Sequence, residues 1–188
     1  MSNSYQVPVL FRSNNQTALL TPASREDMPR DWLFDWEGLW QTTDFDCQNI
    51  IKLVYANQVF GLIRYGLYPY PYENKPLYLE IEQIEVNPVS LGKTDDRIIK
   101  PIGKWLIWYA TKISLQESTG TPDGTLVVLT AKDEERLIEY YRDTVLMEYL
   151  MPDTIAPGED GHVFTFSRAA AGEFCTRQEQ QWGVPIVV

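Results

Sequence analysis

Arg97, Lys100 and Lys104, joined by Lys93, crowd the point where Pro101, Ile102 and Gly103 open a helical pattern, and only Asp95 and Asp96 offset them. Proline suits the first helical position, because its missing N–H would have no intrahelical partner. The amides of Ile102, Gly103 and Lys104 then point outward from the helix start. N–H groups and helix dipole together attract an anion such as a phosphate there. A competing register starts the helix at Thr94 as N-cap and kinks it at Pro101. It extends the apolar stripe back to Ile98 but removes the anion site. Proline disfavours the helical conformation at Lys100, so the later start is preferred.

Just upstream, the run LEIEQIEVNP carries the carboxylates Glu80, Glu82 and Glu85. Leu79 and Ile81 alternate with Glu80 and Glu82 at the period of a half-buried strand. Ile84 and Val86 are also two apart but have the opposite parity, and one register cannot bury all four on one face. A β-bulge near Glu82 to Ile84 restores the phase and leaves backbone groups unpaired. The other reading is a strand buried on both faces, where parity means little; it suits the three glutamates poorly. A broken strand beside a helix N-terminus can hold a carbonyl and a phosphate side by side.

Composition limits the other chemistries. A net charge of −10 argues against a nucleic-acid backbone or an anionic membrane as the main partner, and mildly favours a cationic substrate. Cys47 and Cys175 lack metal or disulfide spacing, and His162 is the only histidine, with no serine in a nucleophile-elbow setting. No apolar run approaches a membrane span and the start MSNSYQ is unlike a signal peptide, so a cytoplasmic protein is expected. With 188 residues, 44% of them apolar, one domain with a sizeable core is expected.

The elements that must position these residues follow from periodicity. Residues 7–11 and 17–20 read as short strands, and residues 24–41 as a helical segment with Trp32, Trp36, Leu39 and Trp40 as a core stripe. Strands at 49–55 and 58–67 are joined by a tight hairpin at Ala56 and Asn57. The loop YPYPYENKP reads as a stiff surface connection, or else as an aromatic wall over a substrate pocket. Helix 101–117 carries an apolar face at Ile102, Trp105, Leu106, Tyr109 and Ile113. The continuous apolar run TLVVLTA at 125–131 reads as a central strand, parallel to 78–87 through a right-handed crossover. A helix over KDEERLIEYYRDT follows. Strands near 145–151 and 162–167 flank the loop PDTIAPGEDG, and a final helix at 168–182 ends at Gly183. This is an α/β domain with a mixed central sheet and helices on both faces.

That order, with an anion-binding loop after a bulged strand, resembles the GNAT acyltransferase superfamily over roughly residues 48–168. Four patches carry the resemblance: IEQIEVNP, IIKPIGKWLIWYA, TLVVLTA and LIEYYRDTVL. It implies two central parallel strands that splay at the bulge and hold acetyl-CoA between them, with the pyrophosphate on the amides of the following helix. The family's loop runs Gln or Arg, two residues, Gly, one residue, Gly or Ala. Gly103 matches its last place, Pro101 stands at the first Gly, and Ile98 at the Gln/Arg place, with Arg97 one position early. The implied coenzyme contacts are Ile84, Val86, Arg97, Lys100, Ile102, Gly103 and Lys104. Glu82, four residues before Val86, falls at the general base of many members, with Glu80 as second choice. In the helix after the second splayed strand, Tyr141 falls on the tyrosine that protonates the departing thiolate, with Tyr140 one step away. The LGF that usually follows is replaced by Thr144, Val145 and Leu146.

Two function classes follow. The first is an N-acyltransferase that moves an acetyl group from acetyl-CoA, without a metal, to a primary amine on a small molecule or a protein. The second is a non-catalytic GNAT-like domain for ligand sensing or protein contact, favoured by Pro101 and the missing LGF. The tryptophan stripe and the Tyr-Pro loop would then form a partner surface. Either is expected as a single domain: an N-terminal extension over roughly 1–45, a core over roughly 48–168 and a C-terminal segment at 169–188. Both leave room for a homodimer.

Overall fold

The computed structural model describes residues 3–69, 77–91, 97–118, 125–156 and 158–188. Lys93, Thr94, Asp95, Asp96 and most of the Tyr-Pro loop lie outside these residues.

The chain opens with a hairpin. Strands β1 (Tyr5–Phe11) and β2 (Asn14–Pro22) pair antiparallel from Tyr5↔Leu20 to Phe11↔Asn14. Arg12 and Ser13 both take positive φ, 47° and 68°, the backbone of a tight two-residue turn. Neither residue type announces such a turn, so the sequence shows two strands but not their connection. The single helix expected over 24–41 is instead two pieces: a short turn at Arg25–Asp27 and helix α1 (Trp36–Thr42). Pro29 cannot donate to a continuous helix. Asp35 restarts it by accepting from the Gly38 amide at 3.0 Å.

Strands β3 (Gln48–Tyr55) and β4 (Gln58–Pro69) flank Ala56 and Asn57, at φ 48° and 62°, as the expected hairpin requires. Strand β5 (Leu77–Val86) follows. Ile99–Lys100, expected as loop, form strand β6 against β1, with Leu10 opposite Lys100 and Phe11 opposite Ile99. Ile99 is fully buried there, which a surface loop would not allow. Helix α2 (Ile102–Glu117) begins directly after Pro101, so the later of the two helix starts is the one adopted.

Strand β7 (Thr125–Lys132) leads to helix α3 (Glu135–Glu139), which runs on as a π-helical turn at Tyr140–Val145. Strands β8 (Glu148–Ala156) and β9 (Glu159–Ser167) meet in a close hairpin, with Ala156 opposite Glu159, where a ten-residue loop was expected. Pro152 does not break β8 because this strand ends the sheet order, and edge strands tolerate proline. Helix α4 (Arg168–Trp182) stops at Gly183, whose φ of 107° is the expected glycine terminus. Strand β10 (Ile186–Val187) then pairs with β1, which periodicity did not foretell.

The strand order is β10-β1-β2-β3-β4-β5-β7-β9-β8, with β6 paired to β1. β5 and β7 are parallel, joined through α2, so the fold is α/β with a mixed sheet. Among the described residues no helix is long and apolar enough to cross a membrane.

The chain divides into two compact units: Met1–Tyr65 with Gln83–Tyr109 and Gln178–Val188, and Gly66–Glu82 with Ala110–Arg177. In the first, Val7, Leu20, Ile51 and Leu53 of the sheet are fully or nearly fully buried, as are Trp105, Leu106 and Tyr109 of α2. The polar tips of these aromatics are satisfied: Trp105 Nε1 donates to Pro8 O at 2.7 Å and Tyr109 Oη to Asn3 O at 2.8 Å. α2 lies so close to β4 that a Cβ on Gly61 would stand 2.5 Å from Ile102 Cγ2. The tryptophan stripe is core as expected: Trp36 packs with Met28, Ile50 and Leu62, and Trp32, Leu39 and Trp40 cover them. The second unit buries Leu79, Ile81, Val127, Leu129, Phe164 and Phe166. Ser114 Oγ ties α2 to β7 by donating to Leu126 O at 2.9 Å.

Candidate active site

β5 organises the candidate residues. Its parallel ladder to β7 pairs Leu79 with Val127, Glu80 with Val128 and Ile81 with Leu129, and among the described residues stops there. β5 continues to Val86 and β7 to Lys132. Buried and half-buried residues alternate from Tyr78 to Glu82, and from Glu82 to Val86 every residue is half-buried. The phase slip read in the sequence therefore falls where the ladder ends.

The second unit holds the candidate catalytic groups. Tyr78, Glu80 and Glu82 share the face of β5 opposite the buried Leu79 and Ile81. The Tyr68 hydroxyl, from β4, donates a hydrogen bond to Glu82 Oε1. Burial, and then the neighbouring carboxylates of Glu82 and Asp153, hold the Glu80 carboxyl above the usual carboxylate range. Tyr141 lies in the π-helical turn, and such irregular turns recur at functional sites. Its ring is buried 5.6 Å from Phe164 and 5.2 Å from Tyr140. Burial, with Tyr140 as a lesser cause, raises its phenol pKa, so it keeps its proton at neutral pH. Tyr140 is half-buried, so the two neighbouring tyrosines take different environments, as residues one apart on a helix must.

The first unit holds the candidate coenzyme contacts. Ile84 and Val86 lie on β5 past the end of the ladder. Asn87 closes that strand: its amide donates to Phe60 O at 2.9 Å, its Nδ2 to Val59 O at 3.0 Å, and its Oδ1 accepts from Val89 N at 3.0 Å. Arg97 is exposed and Lys100 half-buried in β6, rather than both belonging to one loop. The Ile102 side chain is buried against β4, and Gly103 and Lys104 are half-buried in the first turn of α2. Glu82 and Tyr141 thus belong to one unit, and Ile84, Val86, Arg97, Lys100, Ile102, Gly103 and Lys104 to the other.

Sequence reasoning missed three arrangements. Glu85 accepts from the Leu33 amide at 2.6 Å, the Phe34 amide at 3.2 Å and Trp36 Nε1 at 2.8 Å, all about fifty positions earlier in the chain. The Tyr68 contact to Glu82 was also missed. So was the lone histidine's setting: His162 Nε2 lies 3.0 Å from Asp133 Oδ1, and its Nδ1 3.3 Å from Tyr149 Oη. Each joins separate elements, and no local pattern marks them.

No protein-family model matches the chain, and no curated protein matches it. Solved structures do. Arabidopsis thaliana NAA60 in complex with acetyl-CoA matches with a TM-score of 0.58 at 13% identity, covering 80% of this chain and 98% of that one. An uncharacterized protein from Bacillus halodurans gives 0.62 at 13% identity, covering 94% and 97%. Ribosomal-protein-alanine N-acetyltransferase from Brucella melitensis gives 0.55 at 13%, covering 79% and 98%. At such identities the likeness is one of fold, and the fold is that of the GNAT N-acetyltransferases, as the sequence resemblance implied.

Proposed function

We propose that the protein is an N-acyltransferase, moving an acetyl group from acetyl-CoA to a primary amine by direct attack. The observation that carries this reading is the parallel ladder ending at Ile81, within a fold shared with an acetyl-CoA complex. In this reading the amine nitrogen attacks the acetyl carbonyl and Glu82 takes the proton that the nitrogen loses. The amide of Ile84 or Val86 donates to the carbonyl oxygen as it gains negative charge. The C–S bond then breaks, and Tyr141, which burial keeps protonated, gives its proton to the thiolate sulfur. Proton exchange with solvent resets both groups. The products are an amide and a thiol.

The helix start fits the coenzyme in part. The first turn of a sixteen-residue helix offers the amides of Ile102, Gly103 and Lys104 to a pyrophosphate, with Arg97 and Lys100 as cations. Pro101 offers no amide. That gap, together with Ile99–Lys100 being held in β6, favours the second reading: a non-catalytic domain that senses a ligand or contacts a protein.

A thermal-shift titration with acetyl-CoA, followed by turnover on a panel of amines, separates the two. Coenzyme binding should raise the melting temperature with concentration, by a free energy of about RT ln(1 + [L]/Kd). No shift at millimolar acetyl-CoA removes the acyltransferase reading. A shift without turnover on any amine leaves the sensing domain.

A further inference from the structure

The sequence offered Tyr68 only as part of the Tyr-Pro loop, yet its hydroxyl donates a hydrogen bond to Glu82 Oε1. Three features of β4 and β5 set this contact. Tyr68 and Gly66 are two apart on β4 and so share a face. Gly66 is buried, and a Cβ there would stand 2.5 Å from Cε2 and Cζ of the Tyr68 ring. The phenol therefore lies back over its own strand, in a place that any side chain at 66 would occupy. The third feature is Tyr78 on β5, whose ring lies tilted against that of Tyr68 with the centres 6.0 Å apart. A half-buried tyrosine thus lies in the space that Gly66 leaves and against the Tyr78 ring, with its hydroxyl on the Glu82 carboxylate.

We propose that Tyr68 is a positioning residue for Glu82, and that Gly66 is the position that permits it. This rests on the reading of Glu82 as the general base. The phenol commits Oε1 and so sets the plane of the carboxylate, hence the direction from which a proton is accepted. A base that must meet the amine within hydrogen-bond reach depends on that orientation. The role is separate from coenzyme binding, since it is exerted through the carboxylate of Glu82.

The test uses the full chain with acetyl-CoA and the best acceptor from the amine panel. Tyr68→Phe keeps the ring and removes the hydroxyl. Its kcat should fall on the order of 10-fold, its acid-side pH profile should move, and KM for acetyl-CoA should stay within about twofold. Gly66→Ala should reproduce the kcat loss by displacing the ring. Gly66→Ala added to Tyr68→Phe should lower kcat little further, since both remove the same contact. If Glu82→Gln abolishes turnover while Tyr68→Phe keeps wild-type kcat and pH profile, the positioning role is overturned and the base survives. If Glu82→Gln is fully active, or acetyl-CoA does not bind, the underlying reading fails and this inference fails with it. A melting temperature for Tyr68→Phe near that of the parent separates lost orientation from lost folding.

Discussion

Glu82 and Glu85 sit three residues apart on β5 and meet opposite surroundings. Glu85 accepts from two backbone amides and the Trp36 indole, so its carboxylate fastens residues 33–36 to the strand. Glu82 accepts from the Tyr68 hydroxyl, on a face that also carries Glu80. One end of the strand spends its carboxylate on structure. The other keeps two carboxylates close together, and that proximity contributes to raising the Glu80 pKa. In the acyltransferase reading proposed above, this contrast gives Glu85 a structural role and leaves that of the base to Glu82.

Substitutions can break this contrast. The largest effect expected is on rate: Glu82→Gln should lower kcat by on the order of 100-fold or more with little change in stability, since the amide oxygen can still accept from Tyr68. A kcat within a few-fold of the parent would make the two ends of the strand functionally alike. Next comes Glu85→Ala, which leaves the indole N–H of the fully buried Trp36 without its acceptor. It should destabilise by roughly 2–3 kcal/mol in urea unfolding, and Glu85→Gln by less. Full stability in Glu85→Ala would show that the Trp-rich segment is held by packing alone.

The smallest effect is the most specific. Glu80 has a raised folded-state pKa, so it binds its proton more tightly folded than unfolded. Its burden on stability is absent below the ordinary glutamate value of about 4.3 and appears as pH rises through the raised one. Glu80→Gln should therefore be more stable than the parent at neutral pH, by less than about 1 kcal/mol given its partial exposure. The two should converge in acid. A gain independent of pH would assign the effect to packing.

Much of the fold was legible because it is written at short range. Period two and a two-residue turn gave the β3–β4 hairpin, an unbroken apolar run gave β7, and Gly183 marked the end of α4. The failures share a cause. Trp32 to Trp40 keep helical spacing on both sides of a break that Pro29 and the Asp35 cap impose, so the stripe outlasted the helix. β6 consists of two residues, too few to show a period, and exists because Ile99 is buried against β1. The loop expected at 152–161 looked like one because it is rich in turn formers, yet β9 paired with it and drew it into a strand.

The sequence by itself determined the order of most of the longer elements, the parallel pair and the phase slip after Ile81, since these depend on periods that neighbouring residues carry. It also supplied the carboxylates of β5 and the tyrosine pair, but as residue types without assigned partners. Only the tertiary structure decided that Glu85 meets residues 33–36 and that Glu82 meets Tyr68. The donors that separate them come from residues 33–36 in one case and residue 68 in the other. Hydrogen-bond partners so far apart in the chain are chosen by strand pairing and packing, and no local period encodes that choice.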